Sequence, residues 1–133
     1  MSEVTIIWSV YILQIVIAIS LINVWIFRFG RATKYRGGES HNMKEEFSVY
    51  GLPTWFMYIV GFLKVLIALI MFVSVFASRL MPILGVPALI LLSVLMLGAI
   101  AMHFKVKDTL MKTLPAIMML SMSILAIYLV SLI

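Results

Sequence analysis

Residues 52–78 read LPTWFMYIVGFLKVLIALIMFVSVFAS, an apolar run that carries a single charge, Lys64. A helix rises about 1.5 Å per residue, so about 20 residues cross the ~30 Å hydrocarbon core of a bilayer. The run shows no period-2 alternation, which would indicate a strand. It therefore predicts a membrane-spanning helix.

Three further runs have the same character, and none of them is charged. The four predicted spans are residues 4–27, 52–78, 80–104 and 113–133. The chain is 65% hydrophobic and 11% charged, whereas soluble domains are roughly 45–50% apolar and about 25% charged. Only helices and closed barrels satisfy their backbone in lipid. We therefore predict an all-α fold, in which residues 1–133 form one integral membrane four-helix bundle.

Basic residues concentrate in the first and third connections between these spans. Those connections hold eight lysines and arginines: Arg28, Arg31, Lys34, Arg36, Lys44, Lys105, Lys107 and Lys112. The opposite end has only Arg79. Because basic connections remain in the cytoplasm, we expect a multi-pass protein of the cell membrane with both termini outside.

This orientation can be tested directly because the chain has no cysteine. In intact cells, a membrane-impermeant thiol reagent should label a cysteine introduced at Ser2 and leave one introduced at Lys107 unlabelled. Labelling at position 107 without labelling at position 2 would reverse the orientation.

The first connection is predicted to be ordered. Arg28, Arg31 and Lys34 recur every three residues, as if the first helix continued out of the membrane. Gly37-Gly38 is a typical stop for such an extension. The sequence thus predicts a helix that ends only at these glycines.

A second helix is predicted within the same connection. Asn42 is followed three residues later by Glu45, the spacing of a helix N-cap and its partner. This pattern predicts a short interfacial helix over about residues 43–49, with Phe47 facing lipid or the bundle.

Lys64 is the most informative residue of the spans. It lies 11 residues past Pro53, roughly 16 Å deep, where a charged lysine costs at least ~2.5–3.5 kcal/mol. No predicted span contains an acidic residue, but Gln14 lies at a similar depth and could accept a hydrogen bond. Lys64 either contacts a quinone carbonyl, an anionic ligand or a partner's carboxylate, or is a structural lysine bonded to Gln14, a carbonyl or water.

His103, at the end of the third span, is a further candidate contact for a ligand or partner. Together with His41 it could hold haem or a metal. A full ligand set is hard to build without cysteine or a carboxylate in the spans. We therefore expect no metal, and a hydrogen bond from His103 to the first connection.

A basic surface is predicted at the same end. Its residues are Arg28, Arg31, Lys34, Arg36, Lys105, Lys107 and Lys112. Such a surface binds anionic lipid head groups or an acidic partner, or only sets topology. We do not expect nucleic-acid binding, because no soluble domain presents these charges.

The order of features resembles the DoxX-like family of small four-helix membrane proteins over roughly residues 10–130. The matching segments are Tyr35-Arg36-Gly37-Gly38, residues 43–47, Tyr50-Gly51-Leu52-Pro53-x-Trp55, Val60-Gly61-x-x-Lys64 and Met96-Leu97-Gly98-Ala99-x-x-x-His103. The family often has glutamate where this chain has Lys64. The resemblance implies a link to thiosulfate:quinone oxidoreduction, redox stress or membrane-protein assembly.

No nucleophile–base pair, phosphate loop or carboxylate dyad indicates an enzyme. The leading prediction is a non-catalytic membrane subunit or accessory protein, for example of a quinone-linked oxidoreductase. The alternative is a four-helix protein that binds quinone or lipid near Lys64 and Gln14. A transporter would need more polar residues along its path. Expected partners are membrane lipids and other membrane subunits or a second copy, with no intrinsic cofactor.

Overall fold

The computed structural model describes residues 2–133, which are helical with turns and contain no strand. The helices are α1 (Glu3–Ile22), α2 (Met43–Tyr50), α3 (Thr54–Phe76), α4 (Val86–Lys105) and α5 (Leu110–Ser131). Two π-helical segments extend them: Asn23–Phe27 continues α1, and Met81–Gly85 leads into α4. The all-α prediction is confirmed.

Four helical segments are long and apolar enough to cross a membrane. They are Glu3–Phe27, Thr54–Phe76, Met81–Lys105 and Leu110–Ser131. Their outer faces expose large apolar side chains such as Phe62, Phe72 and Val94. Lipid is the solvent that suits such a surface. The chain is therefore a four-span membrane protein, as predicted.

Each spanning helix turns one narrow face inward. On α3 this face repeats every three or four residues, which is the period of a helix packed on one side. Its buried residues are Met57, Val60, Lys64, Ile67, Ala68, Met71 and Ser74. The helix α1 packs against α3 and α5, and α4 packs most extensively against α5. The bundle interior is thus apolar, with Lys64 as the buried lysine of this face.

The helix boundaries differ by a few residues from the predicted spans. The fourth spanning helix, α5, begins at Leu110 rather than residue 113, which places Pro115 inside it. The second spanning helix, α3, begins at Thr54 because Pro53 is extended, with ψ 158°. Apolar sequence alone does not distinguish an extended approach to the membrane from the helix that follows.

The predicted helical extension beyond the first span is wrong. The helix ends at Phe27, and Arg28 leaves helical geometry with φ −108° and ψ 8°. Residues 28–42 form turns and bends. Arg36 folds back onto the carbonyl groups of Arg28, Phe29 and Arg31 and replaces the helical hydrogen bonds there.

The short helix of the connection is confirmed. The Asn42 side chain accepts a hydrogen bond of 2.8 Å from the Glu45 backbone N–H. The Glu45 carboxylate accepts one of 2.9 Å from the His41 N–H. These bonds satisfy backbone donors at the start of α2. Phe47 faces the bundle, where it packs against Trp25.

We call the end of the bundle that carries residues 28–53 and 106–109 the basic end. Bonds tie the first connection there to the turn at residues 106–109 and to the first turn of α5. Gly38 N–H donates to the Asp108 carboxylate at 3.0 Å, and the Lys112 ammonium donates to the Gly38 carbonyl. Gly38 has φ +57°, a conformation that favours glycine. The first connection therefore lies as an ordered cover over this end.

Candidate functional site

A cavity of about 470 Å³ lies inside the bundle near the basic end. All four spanning helices contribute to its walls, and α2 with the preceding connection covers it on one side. Apolar side chains supply most of the lining, among them Trp25, Phe47, Val60, Leu95 and Met119. The polar groups of the lining include Arg36, Glu46, Tyr50, Lys64 and His103.

Lys64 belongs to the apolar part of this wall and is 9% exposed. Its ammonium nitrogen lies 5.1 Å from the centroid of the Trp25 ring, within the range of a cation–π contact. Gly61, one turn earlier on the same face, makes room for that ring, since a Cβ there would lie 2.8 Å from it. The Gly61-x-x-Lys64 spacing therefore sets a lysine over a tryptophan.

Gln14 does not belong to the cavity. Its Nε2 donates to the Met71 carbonyl at 3.3 Å. Its buried Oε1 has no hydrogen-bond partner among residues 2–133. The hydrogen bond from Lys64 to Gln14, one of the alternatives that the sequence left open, is therefore not formed. Met71 lies seven residues beyond Lys64 on α3, about 10 Å along the helix. Gln14, which is bonded to Met71, and Lys64 therefore lie at different depths in the bundle.

A line of polar side chains crosses the basic end, and we call it the polar chain: Arg36, Glu46, Tyr50, His103 and Asp108. Arg36 Nη1 donates to Glu46 Oε2 at 2.9 Å, and Tyr50 Oη donates to Glu46 Oε1 at 2.7 Å. Tyr50 Oη lies 3.5 Å from His103 Nε2. His103 Nδ1 lies 2.6 Å from Asp108 Oδ2. These contacts link the first connection to α4 and the turn after it.

Tyr50 is held in its neutral form. Burial raises the pKa of this phenol far above its usual range, and the Glu46 carboxylate beside it raises the pKa further. The hydroxyl therefore remains a donor to Glu46 throughout the physiological pH range. Gly37 packs directly against the ring, and the Lys105 ammonium donates to the Tyr50 carbonyl at 2.7 Å.

The model of the DoxX-like family matches residues 12–126 of the chain. The chain belongs to the DoxX-like family. The matched region includes the whole polar chain and every residue that lines the cavity. No curated protein and no solved structure gives a match.

In this DoxX-like protein only some residues of the predicted basic surface are exposed. Arg28, Arg31, Lys34, Lys105 and Lys107 are exposed, and Lys112 is half-buried. Arg36 is buried, so its assignment to that surface is wrong. A buried guanidinium requires acceptors, and Arg36 finds them in Glu46 and in backbone carbonyl groups.

His103 lies in the cavity wall and contacts the first connection through Tyr50. Both of its ring nitrogens contact the polar chain, one toward Tyr50 of the first connection and one toward Asp108. His41 is exposed. Within residues 2–133, no group of three His, Cys, Asp or Glu side chains is placed to hold a metal ion.

Sequence reasoning missed Trp25, Glu46, Tyr50 and Asp108 as members of the site. The spacing of Glu46 and Tyr50, four residues apart, puts both on one face of the short helix, and that spacing was a usable signal. Asp108 lies five residues after His103 and four before Lys112, which was a partial signal. Its contact with Gly38 had no signal, because it joins positions far apart in the sequence.

Proposed function

We propose that this DoxX-like protein is a non-catalytic membrane protein that binds a lipid-soluble small molecule, a quinone or a lipid, in the cavity at the basic end. The observation that supports it best is a largely apolar cavity of about 470 Å³ with a buried lysine in its wall. Ligand sites typically measure roughly 300–1,000 Å³ and combine an apolar lining with a few polar groups.

The lining itself supports entry from the bilayer. Val94 of α4 and Val24 of the first span belong to the cavity wall, and they are also 59% and 39% exposed. Their two faces therefore adjoin both the cavity and lipid. A lipid-soluble molecule reaches the cavity between such residues without passing through water.

Polar contacts determine which ligand the cavity retains. A ligand that leaves lipid for an apolar cavity gains little from the hydrophobic effect, because both surroundings are apolar. Hydrogen bonds and charge interactions are stronger in this low-dielectric setting. Lys64 is therefore the expected contact of the ligand head group, and Tyr50 and His103 are further polar groups of the same wall.

A cavity-filling substitution tests the proposal. Ala99 lines the cavity, so Ala99→Phe should occupy part of its volume and abolish retention of the ligand. Ala101, two residues further along α4, is exposed, so Ala101→Phe adds the same side chain toward lipid. Protein purified from native membranes is extracted with organic solvent, and the extract is analysed by mass spectrometry.

We expect one lipid-soluble compound to be retained at a stoichiometric level by the parent and by Ala101→Phe, and to be lost from Ala99→Phe. Equal retention by the two variants would contradict the proposal, and so would a parent protein that retains no compound and binds none when one is added.

An accessory-subunit role is a second candidate function. The exposed basic residues Arg28, Arg31, Lys34 and Lys107 support it, because they offer charge to an acidic partner. This role is compatible with ligand binding in the cavity, which lies on the inner side of the same end.

A further inference from the structure

The charges around the cavity do not balance. Glu46 is the one acidic residue of its lining within the described chain. Both oxygens of that carboxylate are occupied, one by Arg36 at 2.9 Å and one by Tyr50 at 2.7 Å. Lys64 makes no hydrogen bond or ion pair with any of residues 2–133. An ammonium group without an acceptor thus remains in an apolar wall.

An oxygen acceptor is what this ammonium group lacks. The Trp25 ring at 5.1 Å attracts a cation through its face. A ring face offers no strong hydrogen-bond acceptor, and an ammonium group has three N–H donors. A buried charge is tolerated when it is paired and hydrogen-bonded. Since the described chain supplies no such partner, the acceptor has to come from outside it, and a ligand in the cavity can supply one.

From this imbalance we infer that the cavity binds a single-chain amphipathic carboxylate, with its carboxylate paired to Lys64 and its hydrocarbon chain against the apolar lining. The inference rests on the proposed function and names the ligand class for that site. A carboxylate supplies one negative charge and two oxygen acceptors, and charge-assisted bonds of this kind are about twice as strong as neutral ones. A quinone carbonyl would leave the positive charge unneutralised.

The size of the cavity favours one chain over two. At roughly 30 Å³ for each water-sized group, the cavity of about 470 Å³ holds about 16 heavy atoms. A fatty carboxylate of medium length fits this volume, whereas the two chains of a phospholipid exceed it. The nearby Glu46 carboxylate also disfavours a doubly charged phosphate, because a single lysine neutralises only one negative charge.

The test measures binding of bromomyristate to the full chain in nanodiscs, by quenching of Trp25 fluorescence after Trp8 and Trp55 are replaced by phenylalanine. The comparison ligands are bromomyristate methyl ester, which lacks the charge, and a short-chain quinone. The variants are Lys64→Met, which keeps the volume and removes the charge, and Lys64→Arg, which keeps the charge.

We expect the carboxylate to bind at least about tenfold more tightly than its ester, a factor that corresponds to about 1.4 kcal/mol. Lys64→Met should erase this preference, and Lys64→Arg should keep most of it. The comparison of carboxylate and ester needs only the Lys64 protein, so it remains decisive even if Lys64→Met does not fold.

Equal binding of carboxylate and ester would overturn the inference. If the quinone quenches Trp25 and bromomyristate does not, the inference falls while the proposed function stands. If no ligand quenches Trp25, both fall.

Discussion

Replacing Arg36 with methionine is expected to lower the free energy of unfolding by about 3–5 kcal/mol, the usual result of removing one partner of a buried ion pair. The Arg36 side chain is 5% exposed and lies 2.9 Å from the Glu46 carboxylate. It also donates to the carbonyl groups of Arg28, Phe29 and Arg31. The substitution therefore leaves the Glu46 carboxylate, 12% exposed, without its cation. It also removes the side-chain donor of the Arg31 carbonyl, whereas the carbonyl groups of Arg28 and Phe29 keep the backbone N–H groups of Arg31 and Met43.

Arg31→Met is the matched control, because the Arg31 side chain is exposed and surface substitutions usually change stability by less than about 0.5 kcal/mol. Thermal unfolding of both variants is followed by circular dichroism in the same lipid. The double variant Arg36→Met/Glu46→Gln should recover part of the loss, since it also removes the unpaired charge. Equal midpoints for Arg36→Met and Arg31→Met would show that the buried pair does not stabilise the fold.

The spans and the short helix could be predicted because each depends on local chemistry. Lipid requires long apolar helices whatever the rest of the chain does, as residues 52–78 show. The Asn42 cap acts within one turn of helix, so its spacing to Glu45 was sufficient. The predicted extension through Arg31 and Lys34 was wrong because the Arg36 side chain folds back onto carbonyl groups five to eight residues earlier, and the helix ends there instead.

Of the candidate site, Lys64 could be predicted from the sequence but its neighbours could not, because they depend on how the chain folds. Lys64 could be selected from its cost in lipid alone. The neighbours of Lys64 depend on how the helices are rotated and shifted against one another, which a count of residues from the membrane surface does not determine. For that reason Gln14 was considered as its partner and Trp25 was overlooked. Glu46 was assigned to a polar connection, and only the folded cover brings it to the cavity wall.

Replacing Asp108 with alanine is expected to destabilise the protein by about 3 kcal/mol, within the range for a buried charged hydrogen-bonding group. Its carboxylate is 4% exposed and lies 2.6 Å from His103 Nδ1. It accepts the Gly38 N–H at 3.0 Å, and the Lys112 ammonium lies 3.8 Å away. Its loss would leave the Gly38 N–H without this acceptor and detach the first connection from the turn after α4.

Hydrogen exchange at Gly38 distinguishes this effect from a general loss of stability. In Asp108→Ala the amide of Gly38 loses its acceptor, so its exchange should accelerate more than that of amides inside α3, which open only with the whole bundle. Glu39→Ala is the control, because Glu39 is an exposed acidic residue of the same connection. It should leave both rates unchanged. If exchange at Gly38 in Asp108→Ala matches that in Glu39→Ala, Asp108 does not hold the cover in place, and the connection must be ordered by Arg36, by α2 and by the bonds from Lys105 and Lys112.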